Sequence, residues 1–160
     1  MSHQQRLSVT AVDPEAYQAI LALERYVRAG TLDHALLALI KIRASQLNGC
    51  AYCLDLHAAE ARAAGVDQRR LDILSAWREA PSFFTDREQA ALSLAESVTR
   101  IGEAGVPDDV WADVTRSFDQ NETVQLLMAI SAINVWNRMA ISTRQSLPDQ
   151  EESTRADVPA

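Results

Sequence analysis

The sequence is poor in the residues that build fibrous, secreted or nucleic-acid-binding proteins. Five glycines and five prolines in 160 residues exclude collagen-like and low-complexity chains. A hydrophobic share of 48% excludes a chain too polar to build a core. Two cysteines cannot form the disulfide framework of a small secreted scaffold. At Cys50 and Cys53 they are also too close in sequence for a bridge to constrain the unfolded chain appreciably. Basic residues number 15 against 22 acidic ones, and Lys41 is the single lysine. The formal net charge of −7 therefore gives no bulk attraction to phosphate backbones or anionic lipid, and neither nucleic acid nor membrane is expected as a partner. The first ten residues hold no apolar run of signal-peptide or membrane-spanning length, so the expected compartment is a reducing cytoplasm.

What is present is helical periodicity. Asp13-Pro14-Glu15 reads as an N-cap, a proline at the first helical position and an early acidic residue. Tyr17, Ile20, Leu21, Leu23 and Val27 follow at helical spacing up to Gly30. A second helix opens at Thr31 to Asp33, carries a broad apolar stripe from Leu36 to Leu47 and stops at Asn48-Gly49. A third runs from about Cys50 to Gly65, and Asp67 caps a short fourth with Leu71, Leu74 and Trp77. Thr85 to Glu88 is a capping box for a fifth helix, Pro107 starts a sixth, and Asn121-Glu122 opens a long seventh that Pro148 is expected to terminate. No stretch of strict apolar and polar alternation competes, so the fold class is all-α, with six or seven helices in one domain over residues 13–147. Residues 1–12 form an N-terminal segment, and the polar stretch 148–160 is expected to be a disordered tail. The longest helices are too apolar for one small bundle to cover, which implies self-association through helical faces.

The densest chemistry lies in Asn48-Gly49-Cys50-Ala51-Tyr52-Cys53-Leu54-Asp55-Leu56-His57. On a helix starting near residue 51, Cys50, Cys53 and His57 fall at i, i+3 and i+7, one stripe. The first turn offers free N–H groups and the positive end of the helix dipole, which favours a thiolate, expected here at Cys53. His57, one turn on, can take a thiol proton or position a substrate hydroxyl. A thioredoxin-like use of C-x-x-C needs a βαβ pattern, which the chain lacks. A structural zinc site needs four ligands, and Cys50, Cys53 and His57 supply three, with His3 and His34 outside the motif, so no metal is expected. Core packing of the three residues is the remaining bland alternative. Trp77, Trp136 and the pair Phe83-Phe84 read as core or pocket lining, and Arg69-Arg70 as a solvated face.

The run Leu39-Ile40-Lys41-Ile42-Arg43-Ala44-Ser45-Gln46-Leu47-Asn48-Gly49-Cys50-Ala51-Tyr52-Cys53, followed by His57, resembles the alkylhydroperoxidase AhpD-like branch of the carboxymuconolactone decarboxylase family. Tyr17 to Tyr26, Leu74 to Pro81 and Ile133 to Arg138 extend the likeness over about residues 7–144. The resemblance implies a helical fold in trimers or hexamers and thiol-dependent reduction of an organic or hydrogen peroxide, with no cofactor. It makes Cys53 the peroxide-attacking thiol, Cys50 the resolving thiol and His57 a member of the proton relay. A dithiol, such as that of a lipoyl-bearing protein, would reset the disulfide. The family's relay glutamate, twelve positions before the first cysteine, falls on Ala38, and Glu60 or Glu24 are the candidates to replace it. Two other functions fit the chain: a decarboxylase or lactone-processing enzyme like the family's namesake, which needs no thiol pair, and a non-catalytic redox-sensing module.

Overall fold

The computed structural model describes residues 4–147, which form eight α-helices. The first, α1 (Val9–Val12), is a single turn capped by Ser8 within the N-terminal segment. Asp13 accepts the Ala16 N–H and Pro14 takes the first helical position of α2 (Pro14–Arg28). Asp33 caps α3 (His34–Asn48), and only Gly49 and Cys50 separate it from α4 (Ala51–Ala63). Asp67 caps α5 (Gln68–Ile73), and two 3₁₀ turns follow, Leu74–Glu79 and Pro81–Phe83. The Thr85–Glu88 capping box starts α6 (Asp86–Thr99), Pro107 precedes α7 (Asp108–Ser117), and a second capping box, Asp119 with Glu122, starts α8 (Gln120–Thr143).

Helices α3 and α8 are the centre of the molecule. Helix α3 packs against α4, α6 and α8, and α2 and α6 close over α8. Leu39 and Ile40 of α3 and Leu126, Ile130 and Ile133 of α8 are fully enclosed, each side chain contributing about 1.5–3 kcal/mol of transfer free energy. Helix α8 is long and apolar enough to span a membrane by length and composition, but its apolar residues are the core on which the other helices pack. A small separate cluster matters more for function. Ala44 of α3, Cys50 and Cys53 at the start of α4, and Ile133 and Ala140 of α8 pack together, with Tyr52 and Trp136 against them.

The seven helices expected from the periodicity correspond to α2 through α8. Two ends differ: the fourth helix, expected to carry Leu74 and Trp77, gives way after Ile73 to the 3₁₀ turn that holds both. Helix α8 stops at Thr143, where Arg144 adopts a left-handed conformation (φ 54°) and the N–H of Gln145 returns to the carbonyl of Ala140. Pro148 is therefore not the stop, and the reversal directs Gln145 back toward the thiol-bearing region. The N-terminal segment is tied down as well, since the Arg6 N–H donates to the Thr143 carbonyl at 2.8 Å. The expected tail, 148–160, lies outside the described residues.

Candidate active site

The link from α3 to α4 puts both thiols in place. Gly49 closes α3 in a left-handed conformation (φ 73°, ψ 35°) that returns its N–H to the Ser45 carbonyl. Cys50 then leaves the helical region (φ −88°, ψ 97°) and serves as the N-cap of α4, its sulfur accepting the Cys53 N–H at 3.4 Å. A sulfur thus occupies the position that a serine or aspartate oxygen holds at most helix starts.

This placement departs from the expectation for Cys53. The free N–H at the third helical position goes to the sulfur of the cap, so the helix start stabilises charge on Cys50. The Cys53 thiol donates to Cys50, and this outweighs burial. With the Cys53 N–H and the Asn137 amide it brings the Cys50 thiol down to about 7. Its role as donor, together with burial and the Cys50 charge, pushes the Cys53 thiol up, with Asn137 opposing. As the pH rises through neutrality the pair gives up one of its two protons, and the charge that appears rests on Cys50. Both are free thiols and almost fully buried.

His57 is buried one turn beyond Cys53, and its Nδ1 meets Glu60 Oε2 at 2.7 Å. Burial would raise the Glu60 carboxyl. The hydrogen bond and charge of His57, with Lys41 and Arg28 nearby, hold it down to about 2. The ion pairs continue away from the thiols. Arg28 bridges Glu60 and Glu24, bonding Glu24 Oε1 at 3.2 Å, and the buried Lys41 ammonium also binds Glu24 Oε1. Burial opposes the ionised form of Glu24, and the charges of Lys41 and Arg28 overcome it. Its other oxygen, Oε2, is buried and has no hydrogen-bond partner among the described residues.

These groups meet at a cavity of about 160 Å³ lined by Tyr17, Leu21, Glu24, Tyr52, Cys53 and His57, with Leu56, Trp136 and Gln145 completing the wall. Tyr17 and Trp136 pack edge to face at a centroid distance of 5.4 Å. Burial and the charges around it raise the Tyr52 phenol, which therefore stays neutral and able to donate. Of the sequence candidates, Cys53 and His57 face the cavity, Cys50 sits behind Cys53, and both Glu60 and Glu24 join the site. Ala38 is buried one turn before Lys41, so the carboxylate paired with that lysine comes from Glu24 on α2 rather than from α3. Trp136 lines the cavity, whereas Trp77 is buried with its indole N–H on Glu96. Among the described residues, no group of three or more His, Cys, Asp and Glu is arranged to hold a metal. The sequence reading missed Ser45, Asn48 and Asn137, which hydrogen-bond to one another where α3 meets α8. The signal for Asn137 was an amide on the apolar stripe of α8 between Ile133 and Ala140.

A helical protein that caps a helix with one thiol and turns a second, with a histidine, into a cavity is a thiol-pair protein of the C-x-x-C-x-x-x-H kind. Residues 14–97 match the model of the carboxymuconolactone decarboxylase family. The uncharacterised protein YdfG of Bacillus subtilis (strain 168) is 38% identical over 138 residues, which span 86% of this chain and 93% of that one. The crystal structure of ATU0492 from Agrobacterium tumefaciens, a protein of unknown function proposed to be the antioxidant defence protein AhpD, superposes with a TM-score of 0.88 at 40% identity. That match covers 92% of this chain and all of that one. The debrominase Bmp8 shares the fold at a TM-score of 0.77 and 18% identity, over 92% of this chain and 77% of that one. The chain belongs to the carboxymuconolactone decarboxylase family, in its AhpD-like branch.

Proposed function

We propose that the protein is a thiol-dependent peroxidase that reduces a compact organic hydroperoxide at Cys53. The observation that carries this reading is the convergence, on one cavity, of Cys53, His57 and Glu24, whose Oε2 has no partner among the described residues, with Cys50 directly behind Cys53. A cavity of about 160 Å³ is close to one of about 150 Å³ that admits benzene, so the apolar wall accepts a body of that size. The hydroperoxide O–H donates to Glu24 Oε2, which gives that buried acceptor its missing partner.

The chemistry then balances within the site. The Cys53 thiol passes its proton to the Cys50 thiolate as its sulfur attacks the distal peroxide oxygen. The O–O bond breaks, the leaving alkoxide takes a proton from His57, and Cys53 becomes a sulfenic acid. With Nδ1 held by Glu60, Nε2 is the histidine nitrogen left to deliver that proton. The Cys50 thiol displaces the sulfenic oxygen as water, forming the disulfide, and two electrons from an external dithiol restore both thiols. The identity of the AhpD-like relative ATU0492 supports the same class of reaction.

The test is peroxide turnover with a dithiol, by wild type, Cys53→Ser and Cys50→Ser, with sulfur states read by mass spectrometry. Wild type should turn over, and Cys53→Ser should lose the rate. Cys50→Ser should accumulate sulfenic acid on Cys53 after one equivalent of peroxide. Equal consumption by wild type and Cys53→Ser would end the peroxidase reading and leave the pair as a redox sensor.

A further inference from the structure

Helix α8 carries amides where its apolar stripe would otherwise continue. Asn137 is fully buried and Asn134 nearly so, and an unpaired buried amide is costly. Their partners form one chain of hydrogen bonds whose direction is fixed at its outer end. Arg138 can only donate, and its Nη1 reaches Asn134 Oδ1 at 2.8 Å. That contact identifies the atom as oxygen, and Asn134 Nδ2 in turn donates to Thr99 Oγ1 and to the Ile130 carbonyl. Asn48 Nδ2 donates to the same Asn134 oxygen at 2.9 Å and to Asn137 Oδ1 at 2.8 Å. Asn137 is thereby fixed as well. Its oxygen faces Asn48, its Nδ2 donates one N–H to Ser45 Oγ at 3.0 Å, and the second N–H remains.

The sulfurs are the groups beside it. Ile133 and Ala140, one turn to either side of Asn137 on the same stripe of α8, pack with Cys50 and Cys53, so the Asn137 side chain enters the same cluster, where it favours the charged form of each thiol. We infer that Asn137 is the side-chain donor that holds the negative charge of the thiol pair, its N–H locked toward the sulfurs by an amide chain running from Arg138 through Asn134 and Asn48. Beside the movable proton of the Cys53 thiol, the helix start supplies one fixed donor to the charge, the Cys53 N–H, and Asn137 supplies a second. Two donors on a buried thiolate are electrostatic preorganisation of the kind that stabilises a reacting anion, set before the substrate arrives. The inference rests on the sulfurs being the reacting atoms of the proposed peroxidase, and it holds whatever electrophile they meet.

The probe is therefore iodoacetamide rather than a peroxide. Asn137→Leu keeps the branched heavy-atom skeleton and removes the donor. The other titratable groups at the site, Tyr52 and His57 on α4 and Tyr17, Glu24 and Arg28 on α2, are unchanged. The pH midpoint for alkylation of the full-length reduced protein should lie near 7 in wild type, where Cys50 is held at about 7, and should rise by about one unit or more in the variant. The rate at pH 6 should then fall about tenfold. A folded variant whose midpoint stays within about 0.3 unit of wild type overturns the inference. The wild-type protein gives an independent reading that needs no variant to fold. In side-chain amide NMR, one Nδ2 proton of Asn137 should move downfield with the same midpoint as alkylation, and a resonance indifferent to that titration overturns the inference. Absence of peroxide turnover by wild type would remove the peroxidase and leave these two results standing.

Discussion

Glu24 shows how a single side chain can join a fold to its chemistry. One of its oxygens satisfies a buried lysine and an arginine, the other is enclosed without a partner among the described residues, and the residue lines the cavity that holds Cys53. Leaving a buried acceptor unmade costs about 1–3 kcal/mol, and a substrate hydroxyl recovers that cost only while bound. Glu24→Gln keeps the shape but offers an amide in place of the charged acceptor. The expected result is a fall of about tenfold or more in kcat/KM for an organic hydroperoxide, with the alkylation midpoint of the thiols unmoved. Steady-state assays beside iodoacetamide titration separate the two effects, and an unchanged kcat/KM would remove Glu24 from the reaction. Neither role was fully legible in the sequence. A glutamate on an amphipathic helix is usually solvated, and what makes this one different is Lys41, seventeen residues away on another helix. Arg69 and Arg70 show the same limit in reverse. They read as a solvated pair; Arg69 is exposed, resting on Phe83, whereas Arg70 is half-buried, stacking on Phe84 while binding Glu88 and the Phe83 carbonyl.

At the scale of elements, the caps were the most legible feature, because a cap is a local device. Asp13, Asp33, Asp67 and Thr85 all start the helices that their sequence context predicts. The end of α8 was not legible, since Arg144 stops the helix in a conformation that a sequence does not announce for a non-glycine residue. The site itself was half legible. The stripe of Cys50, Cys53 and His57 follows from helical spacing, but the direction of charge depends on which residue is the cap, a difference of one position at a boundary. Gly49 sets that boundary. A Cβ at Gly49 would touch nothing within 4 Å, so Gly49→Ala isolates the backbone cost of the left-handed conformation. It should destabilise the protein by roughly 1–2 kcal/mol and leave the alkylation midpoint of the thiols in place. Urea denaturation checks the first effect, and stability equal to wild type would show that the turn relaxes to another geometry.

For the whole molecule, the carboxylates decide the response to acid. Glu24, Glu60 and Glu96 are partly buried, each opposed by desolvation and rescued by cations or donors, and all three titrate below an ordinary glutamate. A group whose folded value is depressed gives stability that is present above its unfolded value and is lost as pH falls toward the folded one. Glu60, held at about 2 against 4.5 for a free glutamate, should therefore contribute fully at pH 7 and lose about 2 kcal/mol of that contribution by pH 3. Glu60→Gln keeps a hydrogen-bonding group beside His57 but cannot titrate. The stability gap between wild type and Glu60→Gln, measured by urea denaturation at pH 7, 5, 4 and 3, should be constant down to about pH 5 and then close by about 2 kcal/mol. A gap independent of pH would mean that His57 and the cations around Glu60 do not hold its charge in solution. The proton delivery proposed for His57 depends on that same carboxylate, which in the folded protein keeps its charge until the pH nears 2, so acid weakens the fold before it removes the histidine's charged partner.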